Sequence, residues 1–187
     1  MKIIGLTGLC CSGKDTIANY IANIYGYVHY SLSDVIRSLL YEEMYEPTRI
    51  NLYHFGITLR KKYGNSVLVR YIFNKMKSNT KYCISSIRHT AEVKELKRIN
   101  GFVLINVVAP VNIRFLRMRS RCRLGDPTNI LDFMNMERQE NNKESKNAIQ
   151  QASETAKMAT ITIVNDATDL VQLKLQVKSI LNKYILL

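Results

Sequence analysis

An α/β architecture, a five-stranded parallel sheet with helices on both faces, is the fold class this 187-residue sequence predicts. Short β-branched apolar runs alternate with stretches whose apolar residues recur at helical spacing, and parallel neighbours need such crossover connections. One run, Phe102 to Ala109, is apolar except for Asn106, as expected of a strand buried on both faces. No repeat, low-complexity tract or Pro/Ser/Gly-rich linker interrupts the alternation, and 47% apolar with 22% charged residues is an ordinary globular mix.

Lys2 to Thr7 predicts the first strand, running into Gly8. Ile17, Tyr20, Ile21 and Ile24 mark a helix that Gly26 stops. Val28 to Tyr30 predicts a second strand, and Ser31 to Glu46 a helix with Asp34 in its first turn. Two helical stripes follow: Leu52, Phe55, Leu59 and Tyr63 up to Gly64, then Val67, Leu68, Tyr71, Ile72 and Met76. Tyr82 to Ile87 is the third strand, Ala91 to Ile99 a helix, and Phe102 to Ala109 the fourth strand. Val111 to Arg123 is expected to be helical and Leu131 to Met158 mostly so. Ile161 to Asn165 completes the sheet before an amphipathic helix carrying Leu170, Leu173, Val177, Leu181 and Tyr184. Pro47, Pro110 and Pro127 each fall between periodic segments. The result is one domain with two helical insertions, about 45–78 and 111–145.

Charge is unevenly spread. Lys plus Arg number 27 against 15 acids, a net +12, and Pro47 to Ala91 holds nine basic residues and no acid. Leu96 to Gly125 holds seven more, again with no acid. Such a chain is built to meet an anion: a nucleic acid, an acidic headgroup or a phosphorylated small molecule. The longest uncharged apolar stretch, Phe102 to Val111, is half the roughly 20 residues a bilayer requires, and the N-terminal apolar run is too short for a signal peptide. Cys10, Cys11, Cys83 and Cys122 form no C-x-x-C pair, so reduced thiols and a cytosolic chain are expected. His29, His54 and His89 show no ligand spacing and read as structural or surface residues.

Gly8-Leu9-Cys10-Cys11-Ser12-Gly13-Lys14 satisfies G-x-x-x-x-G-K with a strand before it and a helix after it. In that phosphate loop, backbone N–H groups and a helix N-terminus surround a polyphosphate while the Lys reaches its outer phosphates. The Ser/Thr that usually follows, as a Mg²⁺ ligand, is replaced by Asp15, with Thr16 next. Either Asp15 or Thr16 takes the metal role, or Asp15 merely favours the helix N-terminus. A thiolate is favoured at a helix N-terminus beside a Lys, so alkylation of Cys10 and Cys11 is expected to abolish ATP binding and bound nucleotide to protect them.

The G-K-D-T ending resembles the loops of phage-type deoxynucleoside monophosphate kinases. Over nearly its full length the chain resembles the small P-loop kinases related to adenylate kinase and dephospho-coenzyme A kinase, in particular a mainly archaeal branch. The resemblance rests on that loop with Ser33-Asp34-Val35-Ile36-Arg37, Leu59-Arg60-Lys61-Lys62-Tyr63-Gly64, Ile87-Arg88, the run from Arg114 through Arg117, Arg121 and Arg123 to Asp126-Pro127, and Ile163-Val164-Asn165-Asp166. It implies a three-layer P-loop NTPase fold and a single kinase domain over 1–187, with an acceptor-binding insertion at about 34–78 and a lid at about 111–145. It further implies ATP and Mg²⁺ as cofactors.

On this reading Gly8, Cys10, Cys11, Ser12, Gly13, Lys14, Asp15 and Thr16 surround the ATP phosphates, with Asp15 and Thr16 as the candidate metal ligands. Asp34, Arg37, Arg60 and Arg88 would bind the acceptor, although Ser31 and Asp34 also fit a capping box and Arg60 also fits a solvated face. Arg88 directly follows the third strand, at the sheet end where ligands gather in α/β folds. Arg114, Arg117 and Arg121 share one helix face, where like charges repel without a counterion, and with Arg123 they form the implied lid over ATP. Lys14, Asp34, Arg117 and Arg121 are the expected catalytic residues; Arg119 is the one most easily read as solvated. The strand-end acid of adenylate-kinase-like enzymes is missing, since Ser85, Ser86 and Ile87 precede Arg88. The expected activity is transfer of the ATP γ-phosphoryl group to a nucleoside or deoxynucleoside monophosphate, with dephospho-coenzyme A as the alternative acceptor. A nucleotide-binding regulatory or nucleic-acid-associated module with little turnover is the rival class.

Overall fold

The computed structural model describes residues 2–141, 152–166 and 169–184. Chain order is β1 (Ile3–Thr7), α1 (Lys14–Tyr25), β2 (Val28–Ser31), α2 (Leu32–Glu42), α3 (Arg49–Tyr63), α4 (Val67–Phe73), β3 (Tyr82–Ile87), α5 (Thr90–Leu96), β4 (Phe102–Val108), α6 (Val111–Arg121), α7 (Ile130–Asn141), α8 (Ala152–Lys157), β5 (Ile161–Val164) and α9 (Leu170–Tyr184). All five expected strands form. They pair in parallel in the order β2-β3-β1-β4-β5, so the chain crosses over β1 between β3 and β4, and the phosphate loop leaves β1 where the strand order reverses.

Helices cover both faces, as the continuous burial of β1 and β3 demands. On one face Ile3, Ile84 and Leu104 pack with Leu32, Val35 and Leu40 of α2, Leu68 and Ile72 of α4, and Val93 and Leu96 of α5. On the other, Ile4, Leu6, Ile105 and Ile163 meet Ile17, Ala18 and Ile21 of α1 and Leu173, Val177 and Leu181 of α9. A smaller cluster of Cys10, Met118 and Phe133 joins the phosphate loop to α6 and α7. None of the described helices is long and apolar enough to cross a membrane.

Helices α4, α5 and α6 end at Phe73, Leu96 and Arg121, two or three residues before their expected ends, and three further differences bear on the site. The helix expected from Ser31 to Glu46 stops at Glu42, and Met44 turns the chain with φ 63°. Ser31 belongs to β2 and precedes α2 without capping it; its hydroxyl lies 3.4 Å from Ser86 Oγ, so the capping box expected with Asp34 does not form. The helical stretch expected from Leu131 to Met158 contains α7 and α8, while 142–151, including the end of the expected lid, lies outside the described residues.

Candidate functional site

The phosphate loop wraps between β1 and α1, and two of its glycines are required by space. Gly8 has φ 137°, and a Cβ there would stand 2.1 Å from the Val107 carbonyl oxygen of β4. Gly13 has φ 99°, and a Cβ there would stand 2.2 Å from Asn165 Nδ2. Gly13 is also the N-cap of α1, whose first-turn N–H groups lack intrahelical acceptors and form the positive end of the helix dipole. Lys14 is buried and folded back into the loop, donating to the Gly8 carbonyl at 2.9 Å, the Leu9 carbonyl at 2.7 Å and Ser12 Oγ at 3.4 Å. Burial, reinforced by Arg88, pushes its pKa down to about 8 against the opposing pull of Cys10, Asp15 and Cys11.

Asp15 turns toward β3. Its Oδ1 accepts from Ser85 Oγ at 2.8 Å, and Ser85 Oγ lies 2.9 Å from His29 Nε2 on β2. His29 Nδ1 in turn lies 3.1 Å from Asn19 Oδ1 of α1. Burial lowers the His29 pKa, with Asp15 and Asp34 opposing, so the ring is held neutral. The end of β3 is bulged: Gly5 pairs Ile84 but Thr7 pairs Ile87, and Ser86 adopts φ 62°. A bulge re-aims side chains beside a site. Here it supplies Ser85 to Asp15, and the cleft receives Ser86 where an acid was looked for. Asp15 lines the cleft, whereas Thr16 is exposed and does not.

Opposite the loop, Ser33, Ile36 and Arg37 of α2 face the cleft. Asp34 does not; it is exposed on the outer side of α2 and pairs with Arg37. Its expected catalytic position is therefore corrected to that of a counterion, because one step along a helix turns a side chain about 100° away from its neighbour. Arg60 lines the cleft but its Nη2 is fixed to Glu92 Oε1 at 2.7 Å and its Nη1 to the Gly56 carbonyl at 3.3 Å. Its Nε is buried with no hydrogen-bond partner. The solvated-face reading of Arg60 is thus corrected. Glu92, wholly buried, also accepts from the backbone N–H of Arg88 at 2.9 Å and of His89 at 3.0 Å, which fixes the turn that carries Arg88 into the cleft.

The arginines expected to form a lid separate into distinct roles. Arg114 is buried, ion-paired with Glu137 of α7, and donates to the Ala109 carbonyl at 2.9 Å and the Cys10 carbonyl at 3.4 Å. It braces the loop from behind, contrary to its expected place over ATP. Arg117 donates to the carbonyls of Ser12 at 3.4 Å and Asn165 at 3.3 Å and to Asn165 Oδ1 at 3.1 Å; it adjoins the loop but does not line the cleft. Arg121 and Arg123 do line it, Arg121 holding Asp126 through two bonds of 2.8 Å. The repulsion expected along this helix is therefore relieved within the chain.

Arg49, Glu92, Asp126, Asn165 and the His29–Ser85 pair were missed as site residues. Arg49 Nη1 reaches both Cys10 Sγ, at 3.5 Å, and Asp126 Oδ1, at 3.9 Å, which ties the start of α3 to the loop and to the turn after α6. Glu92 had one signal, being the first acid after the acid-free stretch.

A UPF0200 protein of Methanosarcina barkeri is 33% identical over 144 residues, covering 75% of this chain and 77% of its own. Another, of Pyrobaculum aerophilum, is 31% identical over 135 residues, covering 72% and 74%. The chain belongs to the UPF0200 family. No family model matches it. Among solved structures, a shikimate kinase from Acinetobacter baumannii in complex with shikimate has a TM-score of 0.62 at 13% identity, covering 100% of this chain and 96% of that one. A gluconokinase from Sinorhizobium meliloti has a TM-score of 0.57 at 15% identity, covering 98% and 93%. This UPF0200 chain therefore has the P-loop kinase fold.

Proposed function

We propose that the chain is an ATP-dependent kinase that moves the γ-phosphoryl group to a small acceptor already carrying a phosphate, a nucleoside or deoxynucleoside monophosphate. One observation carries the reading: Lys14, Arg37, Arg49, Arg60, Arg88, Arg121 and Arg123 line one cleft, whose lining acids are Asp15 and Asp126, with Glu92 behind Arg60 and Asp34 beside Arg37. Arginines spread from α2 to the turn after α6, well beyond the loop itself, suit a second phosphate beside the one at the loop.

The residues present fit ATP and Mg²⁺. The glycine positions of the loop admit no side chain, so a phosphate can approach the backbone, and Lys14 Nζ occupies loop acceptors from which it can turn to the β and γ oxygens. Asp15 would hold the metal, directly or through water, as the cleft-lining carboxylate of the first turn of α1. Bound Mg²⁺ would neutralise charge across the β and γ phosphates. Arg37 and Arg88 would orient the acceptor phosphate, and Arg121, Arg123 and the loop-adjoining Arg117 would stabilise the charge on the transferring group. The chain from Asp15 through Ser85 to His29 would fix the carboxylate.

The second reading, a nucleotide-binding module with little turnover and possible association with nucleic acid, is favoured by Ser86 standing where the strand-end acid is absent. ADP release from Mg-ATP, measured across AMP, CMP, UMP, GMP, their deoxy forms and dephospho-coenzyme A, separates the two. Turnover with one acceptor class is expected, lowered about a hundredfold or more in Lys14→Ala. Silence across the panel by a protein that binds Mg-ATP would sink the kinase reading.

A further inference from the structure

Two thiols sit in the middle of the phosphate loop, and the proposed transfer uses neither. Cys10 Sγ and Cys11 Sγ are 3.7 Å apart, both residues line the cleft, and Arg49 Nη1 stands 3.5 Å from Cys10 Sγ. Cys83, in contrast, is sealed within β3, and Cys122 is exposed at the end of α6. We propose that Cys10 and Cys11 form an oxidation site, converted by a hydroperoxide into a reversible disulfide between neighbouring residues that disables the phosphate loop; this rests on the phosphate-loop reading above.

The surroundings suit the first step. The hydrogen bond from Cys11 lowers the Cys10 pKa well below its ordinary value; burial opposes this, and Arg49, Arg121 and Arg88 add to it. The same hydrogen bond, with burial, raises Cys11, so Cys10 is the more acidic thiol of the pair. Cys10 sulfur attacks one peroxide oxygen, the O–O bond breaks, and the departing hydroxide takes a proton to leave as water, giving a sulfenic acid. Cys11 sulfur then attacks Cys10 sulfur, the S–O bond breaks, and the hydroxyl leaves with the Cys11 proton as a second water. Two electrons pass from the thiols to the peroxide.

Bridging requires the sulfurs to close from 3.7 Å to about 2.05 Å. Adjacent Cα atoms lie about 3.8 Å apart, closer than the usual range of about 4.4–6.8 Å for bridged cysteines. The backbone between Cys10 and Cys11 must therefore turn, and that backbone lines the phosphate site. A bridge made under such constraint is readily reduced, so the change is reversible.

The test uses the full chain. The reduced protein is titrated with hydrogen peroxide, Mg-ATP affinity is measured by calorimetry, and the same samples are digested for mass mapping after free thiols are blocked. A Cys10–Cys11 peptide lighter by two hydrogens is expected, with affinity weakened about tenfold or more and restored by dithiothreitol. In Cys11→Ser the bridge is absent and dimedone captures the Cys10 sulfenic acid as a thioether adduct, its hydroxyl leaving as water. Oxidation confined to Cys122, or a bridged loop that binds Mg-ATP unchanged, overturns the proposal. Reduced protein that binds no Mg-ATP overturns the functional reading and the claim about the loop together; a missing bridge in protein that does bind it overturns this proposal alone.

Discussion

Glu92→Gln, alone and with Arg60→Met, separates the two tasks Arg60 can perform. The Glu92 carboxylate is wholly buried and accepts from Arg60 Nη2 at 2.7 Å and from the backbone N–H groups of Arg88 and His89 at 2.9 and 3.0 Å. Neutralising it leaves the Arg60 guanidinium, 9% exposed, without a counterion. Breaking a buried pair from one side costs about 3–5 kcal/mol, and at this chain length each kcal/mol shifts Tm by about 2–4 °C. The single variant should therefore melt roughly 6–20 °C below the parent. Adding Arg60→Met removes the stranded charge, while the Gln oxygen still accepts a backbone N–H, so most of the loss should return. If Arg60 also binds acceptor through its unpartnered Nε, the double variant regains stability but binds the monophosphate about tenfold more weakly. Circular dichroism melts and acceptor calorimetry read the two effects separately. A Glu92→Gln protein melting within about 2 °C of the parent would refute the buried-pair reasoning, and a double variant with parental acceptor affinity would reduce Arg60 to a support for Arg88.

Lys14 titrates at about 8 without nucleotide, and bound phosphates favour its charged form. The complex then holds more protons than the free chain, so affinity falls as pH rises through 8. Calorimetry at pH 8 in buffers of differing ionisation enthalpy should show uptake of about half a proton on Mg-ATP binding, and none from this group in Lys14→Met. Ser85→Ala and His29→Ala, which release Asp15 without touching the phosphates, should raise the Mg²⁺ concentration needed for half-maximal turnover more than the KM for ATP; equal effects on both would refute a positioning role.

The phosphate loop was legible because its seven residues, Gly8 to Lys14, are contiguous, and β1 and β4 were legible because burial on both faces leaves nearly unbroken apolar runs. Partners were not. Helical spacing shows which residues share a face but not which element meets them. Arg60 therefore read as either solvated or acceptor-binding, when its counterion is Glu92, 32 positions on. Arg114 is neutralised from 23 positions away and His29 contacts a serine 56 away, separations over which no local pattern reaches. The same limit hid the bulge at Ser86: nothing in Ser85-Ser86-Ile87 announces a residue with φ 62°. Asp34 failed for a different reason. Its spacing to Arg37 was read correctly, but the rotation of α2 about its axis is set by Val35, Ile36 and Leu40 entering the core, and that directs Arg37 inward and Asp34 outward.

The arginines of α6 show how these pairings bear on phosphate binding. Arg114 and Glu137 are both buried, 4% and 9% exposed, and hold α6, α7 and the loop together. Arg121 is more open, with 26% of its side chain exposed, and its partner Asp126 has Arg49 as a second cation 3.9 Å away. Losing Arg121 therefore leaves Asp126 still compensated, whereas losing Arg114 takes a buried guanidinium away from the buried Glu137 carboxylate. With Arg49 left beside Asp126, opening this pair costs less than opening the Arg114–Glu137 pair, so a phosphate entering the cleft would take the place of Asp126 on the Arg121 guanidinium. Arg114→Met should accordingly lower Tm by roughly 6–20 °C. Arg121→Met should leave Tm within about 4 °C of the parent and lower turnover about tenfold or more. The opposite ordering, with Arg121→Met unfolding the chain and Arg114→Met costing only activity, would show that the two pairs had been assigned the wrong way round.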